Sequence, residues 1–262
     1  MCPRLRLNRG TYIMVMRTLL VRGMLVGLVA GVLALGFASY FGEPQVDRAI
    51  SFETREARAA GEPPGMELVS RGVQKSVGLA TAIAVYSVGF GGLFALAYAI
   101  AYGRVGPVGP RPTAALVALG GFLTVVLVPF IKYPANPPSI GNPDTIDHRT
   151  ALYFGMILTS VLIAILAVRL GRQFTTRFGG WNANLIACGV FIACIAAVQI
   201  ALPSVNEVPP DFPATVLWRF RLASLGTQAV LWATFGLLFG ALTERSLRSG
   251  RGTPSRSRRE AA

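Results

Sequence analysis

The chain has little with which to hold a metal or to run a reaction. Its 262 residues include one histidine, His148, and three cysteines. Cys2 stands at the terminus. Cys188 and Cys194 lie six apart in one apolar run, which puts them on different faces of a helix and does not match a CxxC pair. This usage argues against a zinc or iron–sulfur site, and both read as small packing residues. Gly91 and Gly92 are followed by no GK[ST], so the chain has no phosphate loop for ATP hydrolysis. It also lacks HExxH, and Asp147 beside His148 has no nucleophile with it. The chain therefore reads as a non-enzyme. Charge is scarce as well: 14% of residues are charged, against about 25% in a soluble domain.

What is abundant is apolar sequence. Hydrophobic residues make up 53% of the chain and fall into six runs, at about 18–41, 76–102, 114–131, 151–169, 184–202 and 217–242. At 1.5 Å per residue each run is long enough to cross a hydrocarbon core of about 30 Å. None alternates with period two, so helices and not a barrel are expected. The expected fold is an all-α integral membrane protein: a bundle of about six transmembrane helices with an external surface helix in the first loop. Residues 1–17 read as a cytoplasmic N-terminal segment, 18–245 as the transmembrane helical domain, and 246–262 as a basic disordered tail. Met14 or Met16 is an alternative start. The first apolar run is too long for a signal peptide and has no clear cleavage site after it.

Charge distribution supplies the orientation. With the N-terminus cytoplasmic, the cytoplasmic pieces hold 15 basic residues and two acids, and the external pieces nine basic residues and ten acids. This bias follows the positive-inside rule and places both termini in the cytoplasm, in a multi-pass protein of the inner membrane. The net charge of +13 is then topological. The SRSRR tail reads as a solvated segment near anionic lipid rather than as a nucleic-acid site.

Within the runs, Gly23, Gly27 and Gly31 form a small-xxx-small ridge that lets another helix approach closely. Gly89, Gly91 and Gly92 in the second run leave packing and softening of the helix both open. Gln199 and Gln228 suit the bundle interior, as helix glue or as part of a substrate path.

The connections expected outside are acidic and proline-rich. In the first, Pro44 to Ala60 has a helical pattern, with Pro44 in its first turn and Gly61 as its stop. It reads as a helix laced with ion pairs, or as an acidic lid. The second, Pro129 to Thr150, holds five of the 17 prolines, His148, Asp144 and Asp147. Pro134, Pro137 and Pro138 stiffen its path, and Thr145 or Asp147 suits the cap of the next helix. The third, PSVNEVPPDFPATV, repeats the style with Glu207 and Asp211.

Four stretches in order, MRTLLVRGMLVGLVAG, FGEPQVDRAISFE, VSRGVQKSVGLATAIAVYSVGFGGLFA and VPFIKYPANPPSIGNPDTIDHRTALY, resemble the CbtA family of cobalt transporter subunits. The resemblance covers about residues 16–245, and the central loop is its most specific part. It implies cobalt uptake for cobalamin synthesis and a very small partner, CbtB, with a histidine-rich segment. Cobalt(II) is then a substrate, and no permanently bound cofactor is expected. Carboxylates, amides and carbonyls suffice for a transient cobalt(II) site. Glu43, Asp47, Glu53, Asp144, Asp147 and His148 are the candidate cation contacts, with His148 outside the family pattern. Gln74, Asn136, Pro137, Pro138 and Arg149 are expected to line a path or to shape the loop. The alternative is an accessory scaffold that binds a partner through the glycine ridge and the external lid.

Overall fold

The computed structural model describes residues 9–61, 70–138 and 140–251, and among them it is helical with no strand. The described residues form nine α-helices in order: α1 Arg9–Phe37, α2 Glu43–Ala59, α3 Arg71–Val73, α4 Leu79–Ala101, α5 Pro110–Gly121, α6 Val128–Lys132, α7 Ile146–Ala201, α8 Ala214–Thr234 and α9 Gly240–Arg251. Among the described residues, five stretches are long and apolar enough to cross a membrane: Met16–Ala59, Ser76–Ala101, Pro110–Lys132, Pro143–Ala201 and Ala214–Ser249.

Three boundaries differ from the sequence reading. The first helix does not stop near residue 41. A π-helical turn, Ala38–Gly42, joins α1 to α2. Pro44 has no N–H to give, and a widened turn ahead of it accommodates the missing bond. The connection between 169 and 184 is tighter than expected: helix runs up to Gly179 and resumes after it, within the 56 residues of α7. A straight helix of that length would measure about 84 Å. Gly179 breaks it, with φ 75° and ψ 161°. The two halves fold back on each other. A Cβ built on Gly171 would stand 3.0 Å from the Ala187 Cβ, and Met156 and Ile195 share one apolar cluster. Lastly, α9 continues to Arg251, past the limit of 245; residues 252–262 lie outside the described residues.

The chain forms two compact bodies. The first comprises Met1–Leu35, Gly72–Leu119 and Val230–Ala262. Its seam is the glycine ridge of α1 against α4. A Cβ on Gly23 would collide with the Gly91 carbonyl oxygen, and one on Gly27 with the Ser87 carbonyl oxygen. Gly91, not Gly89, is the partner: nothing stands within 4 Å of a Cβ on Gly89. Backbones this close gain dispersion contacts that larger residues would block. Phe94 and Tyr98 of α4 meet Phe235 and Phe239 at ring separations of 5.4 and 5.0 Å. Gly236 and Gly240 face α5 at Ala118 and Ala114. Arg111 and Arg248 both pair with Glu244.

The second body comprises Gly36–Arg71 and Gly120–Ala229. Pro129 withholds a donor from its helix, and the π-helical turn Phe122–Leu127 precedes it. Nearby polar groups are satisfied within this body, as lipid depth demands. Ser160 Oγ donates to the Thr124 carbonyl at 2.5 Å, and Gln199 Nε2 to the Val128 carbonyl at 3.1 Å. Gln199 is therefore helix glue. Cys188 and Cys194 are exposed, not packed as the sequence suggested.

Candidate functional site

The site is a cap built in the second body from α2 and two proline-rich connections. α2 ends as expected, with Gly61 at φ 72°. It lays Ala49 and Phe52 on Ile140 of the central loop and on Phe212 of the loop before α8. The Phe52 and Phe212 rings meet edge to face at 5.1 Å. Prolines keep both loops extended and spare them donors that would need partners. The few polar groups left do the joining.

Glu207 is the centre of that joining. Its carboxylate accepts the Asn142 backbone N–H at 2.8 Å and the Thr145 hydroxyl at 2.5 Å. Arg149 Nη1 stands 3.4 Å from the same carboxylate. The Thr145 hydrogen bond, then the Asn142 one, hold the carboxyl below its ordinary value; Arg149 adds its charge, and burial opposes. Arg149 also donates to the Asn142 carbonyl at 3.3 Å. Its guanidinium lies where a Cβ on Gly141 would stand, and Gly141 has φ 121°. Only glycine fits that corner.

Three further side chains lock the loops. Tyr133 Oη donates to the Pro203 carbonyl at 3.0 Å, and Lys132 Nζ to Ser204 Oγ at 3.3 Å. Partial burial raises the Tyr133 hydroxyl above its ordinary value. From α8, Arg221 donates to the Ala135 carbonyl at 3.3 Å and to Asn136 Oδ1 at 2.9 Å. Pro137 is buried and Pro138 exposed.

The candidate cation contacts are dispersed. Asp144, Asp147, His148 and Glu53 are exposed, Asp47 is half-buried and Glu43 is buried. Glu43, Asp47 and Glu53 each engage a partner. Among the described residues, no three of His, Cys, Asp and Glu come together to hold a metal ion. Gln74 opens the π-helical turn Gln74–Gly78, but its side chain, like Glu62 and Glu67, lies outside the described residues. Arg149 and Asn136 shape the loop.

Two expectations are corrected. Thr145 holds the N-cap position of α7 without a side-chain cap bond, its φ −101° and ψ 1° lying outside the extended geometry usual for a capping residue, and its hydroxyl donates to Glu207; Asn142 Oδ1 instead accepts the Asp144 N–H at 3.0 Å. The glycine ridge is filled by α4 and leaves no seat there for a partner. Sequence reasoning missed Glu207 and Arg221 as the joining residues. The available signal was a lone carboxylate between Pro203 and Pro209, and an arginine inside an apolar run.

The cap joins α2 to both proline-rich connections, with Asp144 and Asp147 exposed in the central one. No curated protein and no solved structure matches the chain. The family model described as probable cobalt transporter subunit (CbtA) matches residues 16–244. That match covers most of the chain, which therefore belongs to the CbtA family.

Proposed function

We propose that this chain is the membrane subunit through which cobalt(II) enters the cell to supply cobalamin synthesis. Its family membership supports this reading most directly. The chain crosses the inner membrane six times, with the Gly179 reversal separating the fourth and fifth crossings and both termini in the cytoplasm. The cap faces outside. Glu43, Asp47, Glu53, Asp144 and Asp147 gather the hydrated cation by charge, and loose oxygen ligation lets it go again. Gln74 and Asn136 help to replace its water shell. The small histidine-rich subunit CbtB works beside it.

Accumulation of radiolabelled cobalt tests the proposal in cells lacking this chain, with and without its restoration, and with CbtB co-expressed. Restoration raises accumulation. Equal accumulation in both strains overturns the proposal. The scaffold reading is tested by the triple variant Glu43→Gln, Asp144→Asn, Asp147→Asn. Lost uptake with CbtB still bound favours conduction, and lost CbtB binding favours a scaffold.

A further inference from the structure

In the first body, a groove of about 670 Å³ opens along the middle of α1. Arg17 and Arg22 line it, together with Val21, Leu25 and Val29 of α1. Leu238 and Leu242 form the facing wall. The aliphatic residues on α1 recur every four positions, so they make one strip along about 12 Å of helix.

The two arginines set this groove apart from ordinary lipid-facing surface. Arg22 lies six residues inside a stretch apolar enough to cross the membrane. Its Nη1 donates to the hydroxyl of buried Thr243 at 3.0 Å. Neither Arg17 nor Arg22 meets a carboxylate among the described residues. A guanidinium that deep is costly unless it reaches the interface or an anion. Its remaining N–H groups form a planar fork, which matches a phosphodiester in two-point contact.

We propose that this groove holds one anionic phospholipid, its phosphate between Arg17 and Arg22 and one acyl chain along Val21, Leu25 and Val29. The charge favours a net-negative headgroup. A zwitterionic lipid also has a phosphate, but it brings a quaternary ammonium toward two uncompensated cations. A free phosphate lacks the chain that would displace solvent or detergent from the aliphatic strip.

The test uses the full chain, delipidated in a neutral detergent. Its thermal midpoint is measured with added phosphatidylglycerol, phosphatidylcholine or glycerol 3-phosphate. Phosphatidylglycerol raises the midpoint and the other two do not. In Arg22→Gln the apparent affinity for phosphatidylglycerol falls about tenfold, the loss expected for one charge-assisted contact. Arg17→Gln, at an exposed position, gives a second reading should the deeper change impair folding. A photoreactive residue at Leu25 captures a phospholipid. An equal response to phosphatidylcholine, an unchanged response in both arginine variants, or capture of a peptide in place of lipid overturns the proposal. A response to glycerol 3-phosphate alone also overturns it, by showing a phosphate site without a lipid.

Discussion

Glu207 and Thr145 stand 62 residues apart in sequence and share a hydrogen bond of 2.5 Å. Through it the connection after α7 is tied to the connection before it. The Thr145 hydroxyl has one proton and two acceptors in range, the Asn142 carbonyl at 2.9 Å and the nearer carboxylate. The charged, closer acceptor wins. A cap closed by a depressed carboxyl is sensitive to acid. The unfolded chain takes up a proton near the ordinary value of 4.5, and the folded one only at lower pH. Protons therefore bind the unfolded state preferentially, and the stabilisation present above about 4.5 is lost as pH falls through the lower, folded value. Hydrogen exchange of residues 202–213 is expected to be flat from pH 7 to 5 in opening free energy, and to show easier opening below that. Glu207→Gln opens more easily at neutral pH and loses the acid step. An acid step that persists in Glu207→Gln assigns it to another group.

The α1–α4 seam predicts opposite outcomes for two glycines on one helix. Gly91→Val puts a branched side chain against the Gly23 backbone, where even a Cβ collides. Overpacking of this kind costs about 1–3 kcal/mol. Gly89 has open space at its Cβ, so Gly89→Ala is neutral or stabilises by up to about 1 kcal/mol through helix propensity. Unfolding by a denaturing detergent, followed by circular dichroism, ranks the two. Equal effects refute the assignment of the seam to Gly91.

The apolar runs were legible because lipid leaves helices as the way to satisfy their backbone, so composition alone locates them. The ridge of Gly23, Gly27 and Gly31 was legible for the same reason: in lipid, small residues mark close packing. The end of α2 at Gly61 followed from local backbone preference. The cap was not legible. Glu207 reaches Asn142 and Thr145 across 62 and more residues, and no local pattern encodes that pairing. The turn lies between 169 and 184, where the apolar runs leave a gap, but it is confined to Gly179, because GRQFTTRF is polar and yet suits a helix. Asp144, Asp147 and His148 drew attention by composition, yet the structure leaves them exposed at the edge of the cap.

The reversal at Gly179 makes a topological prediction. Thr176 precedes it, and Ser204 follows the second half of α7. With Cys2, Cys188 and Cys194 replaced, a cysteine at Thr176 is expected to react with an impermeant thiol reagent from the cytoplasmic side only, and one at Ser204 from the outside only. Labelling of both from one side removes the six-crossing arrangement. Gly179→Ala separately tests the corner: φ 75° with ψ 161° is a conformation only glycine adopts freely, so the change costs about 1–3 kcal/mol of stability.

Arg221 makes the last prediction. It holds the KYPANPP stretch through the Ala135 carbonyl and Asn136 Oδ1. Alanine removes both bonds and leaves those acceptors without a donor, a loss of about 1.5–3 kcal/mol for charge-assisted contacts. Lysine keeps the charge but presents a point where the fork made two contacts, so Arg221→Lys recovers part of the stability and not the loop geometry. The two effects separate in measurement. Thermal unfolding ranks wild type above lysine and lysine above alanine. Protease sensitivity of residues 133–138 rises in both variants. Cobalt accumulation falls in both, because the loop over α6 and α7 no longer holds one shape. If Arg221→Lys restores uptake fully while the loop stays protease-sensitive, the shape of KYPANPP is irrelevant to transport and the charge of Arg221 alone matters.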